Sequence, residues 1–264
     1  FSKKDIDLAV KVIKSKQLTM SKITRNFEKK FSKYIGSKYA VMVNSGSSAN
    51  LLSLFVAKFA YNFQKGDQVI IPSVCWSTSL WPIIQVGLKP VFVDVNLSDF
   101  NASLKQIEKK INKKTKAILA IHVLGTSLQM DKLLKICKKK DILIIEDTCE
   151  SLGSKYKNKY LGTYGTFGTF SFYYSHQITS GEGGMIVTNN RKNYELLKIM
   201  RAHGWDRDLE KKKISSKKFN FVNMGFNLRP LEVSAAIAQN QLNRLKKFSK
   251  IRHINRKKII DSLK

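Results

Sequence analysis

Three stretches of the chain carry side chains whose types and spacing could do chemistry. The longest is Ser171-Phe172-Tyr173-Tyr174-Ser175-His176-Gln177-Ile178-Thr179-Ser180-Gly181-Glu182-Gly183-Gly184. It sets a histidine among hydroxyls, between an apolar run and a glycine-rich turn. Imidazole titrates near neutral pH and suits general acid–base work; a histidine alone is as well read as a hydrogen-bonded structural residue. The second stretch, Ile144-Ile145-Glu146-Asp147, ends an apolar run in two acids. Asp147 could pair there with a protonated ring nitrogen of a cofactor or cap the helix that follows, and taken alone the two readings are equal. The third is Asn44-Ser45-Gly46-Ser47-Ser48-Ala49-Asn50. A glycine and serines opening a helix make a ready anion site. By itself the stretch reads better as an ordinary serine cap, and it matches neither the P-loop nor the dinucleotide pattern.

The elements that must position these residues alternate along the chain. Residues Tyr39–Asn44, Gln68–Ile71, Pro90–Val95, Lys116–Val123 and Ile142–Asp147 read as strands. Helical patterns cover Ser47–Phe59, Trp76–Val86, Leu104–Ile111 and Asp131–Lys140. Two further strands, Thr166–Tyr173 and Gly184–Thr188, flank the glycine-rich turn, and a helix starts near Tyr194. Leu209–Lys218 is charged and reads as a surface loop, while Leu231–Leu245 repeats apolar residues on one helical face. Near-continuous apolar strands alternating with helices predict an α/β fold with a mostly parallel sheet flanked by helices. Functional side chains then belong at the carboxyl ends of the strands. The expected division is a large domain over 1–245 and the start of a smaller, truncated C-terminal domain over 246–264.

Composition narrows the classes. With 264 residues and 43% apolar residues, the chain can bury a sizeable core. No apolar run approaches the roughly 20 residues of a membrane span. The chain starts at Phe1 and ends in a basic helical pattern, so it reads as a fragment cut at both ends. Cys75, Cys137 and Cys149 show neither a CxxC pair nor metal-ligand spacing, so no metal is expected and a reducing cytoplasm suits them. A net charge of +29 raises nucleic-acid binding. The lysines are scattered on helical faces with no interleaved aromatics, and solvated surfaces are the favoured reading over a nucleic-acid or membrane partner.

The three stretches, in this order, resemble the DegT/DnrJ/EryC1/StrS family of sugar-modifying pyridoxal-phosphate enzymes, of the type I aminotransferase fold. The resemblance covers nearly the whole chain and includes Gly162-Thr163-Tyr164-Gly165, Gly225-Phe226-Asn227-Leu228-Arg229-Pro230 and Gln239-Asn240-Gln241-Leu242. It implies that Gly46, Ser47 and Ser171 hold the cofactor phosphate. Trp76 would stack on the ring, unless it is a core tryptophan. Asp147 would face the pyridine nitrogen, with Glu150 near the ring. Asn227 would reach the phosphate of a neighbouring subunit, which implies a homodimer with shared sites.

Position 176 departs from the pattern. Family aminotransferases carry there the lysine that binds the cofactor covalently, and this chain carries His176. Imidazole cannot form that stable link but can serve as a base. A subgroup with the same swap resembles this chain: 3-dehydratases of nucleotide-linked 4-keto-6-deoxyhexoses, which lead to dideoxysugars of surface polysaccharides such as O-antigen. One branch uses an iron–sulfur cluster and a CDP-sugar; its cysteines follow the stretch matching Arg201–Asp208, where this chain has none. The other uses only pyridoxal or pyridoxamine phosphate, takes an amino group from L-glutamate, acts on a GDP-sugar and releases ammonia. In that reading His203, Arg207 and Arg229 hold the substrate or the glutamate carboxylate; a solvated loop is the alternative for His203 and Arg207. A nucleotide-sugar aminotransferase of the same family is the alternative function.

Overall fold

The computed structural model describes residues 1–209 and 219–263, so most of the predicted Leu209–Lys218 loop lies outside the described residues. Two helices precede the first strand: α1 (Lys3–Ser15) and α2 (Lys22–Ile35). Then follow β1 (Tyr39–Val43), α3 (Gly46–Ala60), β2 (Gln68–Pro72), α4 (Ser77–Gln85), β3 (Lys89–Val93), α5 (Leu104–Lys110), β4 (Thr115–Ile121), α6 (Met130–Lys140) and β5 (Leu143–Asp147). A small hairpin, β6 (Lys155–Tyr156) and β7 (Lys159–Tyr160), leads to β8 (Phe167–Ser171), β9 (Gly184–Thr188), α7 (Arg191–Met200) and α8 (Glu232–Ser262).

Seven strands form one sheet in the order β1-β9-β8-β5-β4-β2-β3. Only β9 runs against its neighbours, pairing antiparallel with both β8 and β1. The carboxyl ends of β1, β5 and β8 therefore share one edge of the sheet. Every residue of β8 and β9 is buried, as a sheet covered on both faces requires. On one face α3, α4 and α7 cover an aliphatic layer that includes Val41, Leu52, Ile71, Leu119 and Leu197. Elsewhere α2 and α8 pack an aromatic cluster against the sheet: Phe27, Phe31, Phe170 and Phe172, with ring centroids 5.0–5.9 Å apart. Each such ring contributes about 1.5–3 kcal/mol through burial.

The N-terminal helices are tied to α8 by buried acids. Asp5 completes a capping box with Ser2 and accepts hydrogen bonds from Asn240 Nδ2 at 2.6 Å and Gln241 Nε2 at 3.0 Å. Glu232 accepts from the backbone N–H groups of Ser21, Ile23 and Thr24, and so caps α2 from another helix. The apolar periodicity over Leu231–Leu245 and the basic helical pattern at the chain's end belong to one helix, α8, which runs unbroken to Ser262. Its fully buried face stops at Leu245: Ala235, Ala238, Leu242 and Leu245 are buried, and among the described residues none beyond Leu245 is. Among the described residues no helix is long and apolar enough to cross a membrane.

Candidate active site

The turn after β1 opens the site. Ser45 is the N-cap of α3, and its hydroxyl accepts from Ser48 N–H at 3.1 Å. The N–H groups of Gly46 and Ser47 are among those a helix start leaves without intrahelical partners. This turn presses against the end of β8. A Cβ on Gly46 would lie 2.5 Å from Ser171 Cβ, so only glycine allows the approach. Gly184 on β9 does the same from the other side, where a Cβ would meet the Ser45 carbonyl oxygen at 2.2 Å. Two glycines thus bring a helix N-terminus, two serines and the Ser171 hydroxyl to one point, a cradle of the size and polarity of a phosphate.

Asp147 ends β5 on the same edge and is 5% exposed. Its Oδ2 accepts from Asn50 Nδ2 at 2.8 Å and from Ser79 Oγ at 2.7 Å, and its Oδ1 accepts from Cys149 N–H at 3.1 Å. Asn50 is itself fixed by Thr169 Oγ1 of β8 at 2.6 Å. Two helices and two strands therefore aim one carboxylate. Burial and the Asp147 charge push the Cys149 and Cys75 thiols above their ordinary range, so neither serves as a nucleophile.

The neighbouring acid does different work. Glu146 is fully buried and accepts from the N–H groups of Gly162 at 2.8 Å, Tyr164 at 2.7 Å and Gly165 at 2.6 Å. His122 Nε2 lies 3.1 Å from the same carboxylate. The 162–165 turn is thereby folded around Glu146, which holds the strand on which Ser171 sits.

His176 sits half-buried in the turn after β8, closed by its own N–H to the Tyr173 carbonyl at 3.1 Å. Burial pushes its pKa below 6.5, against the opposing pull of Glu150, Asp147 and Glu182. Burial thus favours the neutral imidazole, the form able to accept a proton. Glu150 is exposed, and its Oε2 accepts from Leu124 N–H at 3.0 Å. Trp76 is 74% exposed at the start of α4, one turn before Ser79, which excludes the core role.

The remaining residues form a second group. Ala202 bridges Asn227, His203 N–H donates to the Phe226 carbonyl at 2.8 Å, and Leu228 N–H donates to Arg201 O at 3.0 Å. Asn44 N–H in turn donates to Leu228 O at 3.2 Å, joining this segment to the phosphate turn. Arg207 lies over the Trp205 ring at 4.2 Å. His203, Arg207 and Asn227 are exposed, and Arg229 is partly so. Among the described residues no hydrogen bond or ion pair joins their side chains to His176 or Asp147.

Sequence reasoning singled out Asp147 but missed the residues that aim it. Ser79 and Asn50 lie 68 and 97 positions away in the chain; no local pattern marks such partners. Among the described residues no group of three or more His, Cys, Asp or Glu is arranged to hold a metal. The cradle and the buried acid fit a flat heteroaromatic phosphate such as pyridoxal phosphate: an anion site at one end and a carboxylate at the other.

The comparisons agree with this geometry. The model of the DegT/DnrJ/EryC1/StrS aminotransferase family matches residues 1–264. The chain is 42% identical over 264 residues to the GDP-4-keto-6-deoxy-D-mannose 3-dehydratase of Escherichia coli O55:H7, covering 96% of this chain and 68% of that one. A crystal structure of a GDP-4-keto-6-deoxymannose-3-dehydratase variant with bound GDP-perosamine superposes with a TM-score of 0.95 at 39% identity, over 100% of this chain and 71% of that chain. Another, with a trapped PLP–glutamate geminal diamine, gives 0.89 at 40% identity over 93% and 67%.

Proposed function

The chain belongs to the DegT/DnrJ/EryC1/StrS aminotransferase family, and from that premise we propose that it is a pyridoxal-phosphate-dependent 3-dehydratase of a GDP-linked 4-keto-6-deoxyhexose. L-Glutamate is the amino donor and ammonia is released. The observation that carries this reading is a half-buried histidine, His176, in the turn after β8, where aminotransferases of the family keep their lysine. The likeness to a 3-dehydratase at 42% identity supports it.

When bound, pyridoxal phosphate would supply an amino carrier and an electron sink for loss of the C3 hydroxyl. The chain's own residues do the rest. Gly46, Ser47 and Ser171 would hold the phosphate, and the exposed Trp76 would be available to the ring. Asp147, fixed by Asn50, Ser79 and the Cys149 N–H, keeps a proton on the pyridine nitrogen. His176, with Glu150 acting on it, would be the group that holds the transferred proton and delivers it to the departing C3 oxygen. His203, Arg207 and Arg229 hold carboxylate or phosphate; Arg suits both by its fork of donors.

Asn227 and its exposed neighbours serve the site of a second copy in a homodimer. The protein works in the cytoplasm. Residues 1–245 form the cofactor-binding domain, and 246–264 begin a second one, consistent with the loss of burial after Leu245.

The test supplies pyridoxal phosphate, glutamate and GDP-4-keto-6-deoxymannose to the full-length protein, and follows sugar mass and ammonia. Loss of the C3 oxygen with ammonia release is expected. An amino group retained on the sugar would make it an aminotransferase.

A further inference from the structure

The turn that carries His176 is tied down at two points by the residue that follows it. Gln177 Nε2 donates to the Glu150 carbonyl across the site. The Gln177 carbonyl in turn accepts both guanidinium nitrogens Nη1 and Nη2 of Arg252, on α8, each at 3.3 Å. The donor at Glu150 must be the amide nitrogen, so the orientation of the Gln177 side chain is fixed. Its Oε1 is then buried without a hydrogen-bond partner. A buried polar atom left unpaired is costly, and such a cost persists where other contacts over-determine the geometry. Glu150 is held at both ends: its carboxylate by Leu124 N–H and its carbonyl by Gln177.

We propose that Gln177, backed by Arg252, is the positioning residue of His176, holding the base loop half-buried and in fixed register with Glu150. The inference rests on the reading of His176 as the base. The charged groups acting on that imidazole are Asp147 and Glu150, at and just after the end of β5, and Glu182 of the glycine-rich turn; Arg252 of α8 reaches the Gln177 carbonyl and not the ring. Burial is the largest influence on His176 and acts downward, while Glu150 acts upward. Releasing the loop therefore hydrates the imidazole more than it frees it from Glu150, and its titration moves back up toward 6.5. The loosened base also loses its aim on the reacting carbon, which lowers kcat more than it changes KM.

The full-length protein, free of cofactor, is titrated by carbon-13 NMR of its imidazoles, with His176→Asn identifying the resonance. In Gln177→Leu the His176 titration is expected to shift upward, kcat to fall about 10- to 100-fold, and KM for the sugar nucleotide to stay within about twofold. Gln177→His, which restores an N–H donor, should recover most of kcat. Arg252→Met releases the loop from the exposed side, and shifts the titration the same way without touching the interior. If both Gln177→Leu and Arg252→Met keep the parental titration and kcat, the proposal is overturned. Dehydration that survives His176→Asn would instead remove the base assignment. The titration would still report whether Gln177 fixes the loop.

Discussion

The corner around Asp147 and the turn around His176 lie on the same edge of the sheet, yet they are built in opposite ways. Asp147 is 5% exposed at the end of a central strand, and side chains from α3 and α4 and a backbone N–H point at its two oxygens. His176 rides on a turn with exposed Tyr173 and Tyr174, held by one backbone bond of its own and by its neighbour Gln177. The first group has only to stay charged and aimed, so rigidity serves it. The second has to move a proton between two atoms, so it sits on a turn beyond the strand, held through its neighbour Gln177 by Glu150 and Arg252. Electrostatics belong to the strand ends and proton transfer to the loop.

The largest test of this contrast is His176→Asn. Asparagine is of similar size and polarity but cannot act as a base, so dehydration should fall by about 10²–10⁴-fold or below detection. The cofactor chromophore should remain, because nothing in the Asp147 corner is touched. Loss of cofactor binding together with activity would break the division between the two regions.

Gly46→Ala probes the rigid side next. The added methyl would sit 2.5 Å from Ser171 Cβ, and neither α3 nor β8 can yield easily. Overpacking of this kind costs about 1–3 kcal/mol. It should appear as a 10- to 100-fold weaker pyridoxal-phosphate affinity in an absorbance titration, with a lowered Tm. Ser79→Ala is milder. It removes one of two donors to Asp147 Oδ2, at about 1–2 kcal/mol. It should weaken cofactor affinity about tenfold while the His176 titration stays where it was. A shifted His176 titration would show that the two regions are coupled.

Much of this architecture was legible in the sequence. The strands at Tyr39, Gln68, Lys116 and Ile142 were marked by unbroken apolar runs, because a parallel sheet covered on both faces buries every position. The three stretches that could do chemistry all sit at strand ends, as the fold type demands. What stayed hidden depended on long-range pairing. The two N-terminal helices are missing from the elements read in the sequence, although Ile23, Phe27, Phe31 and Ile35 recur four residues apart on one face of α2; what no local pattern marks is their tie to α8, whose Glu232 caps α2. The β6–β7 hairpin has two-residue strands, too short for periodicity. The two acids ending β5 could not be told apart by position alone, and Asp147 read equally as a cofactor partner or a cap. Only the three N–H groups of the 162–165 turn separate their roles.

The smallest effect is also the most discriminating. Glu150 raises the His176 pKa, whereas burial lowers it and dominates. The neutral imidazole is the active base, so kcat/KM should fall as pH drops through its pKa, on a limb placed below 6.5. Glu150→Gln keeps the backbone carbonyl that Gln177 holds and removes only the negative charge. The limb should therefore move further to acid. Gln177→Leu moves the same titration the other way. Opposite shifts from two residues joined by one hydrogen bond would separate the charge that tunes the base from the bond that holds it. Shifts in the same direction would mean that Glu150 positions the loop and does not tune it.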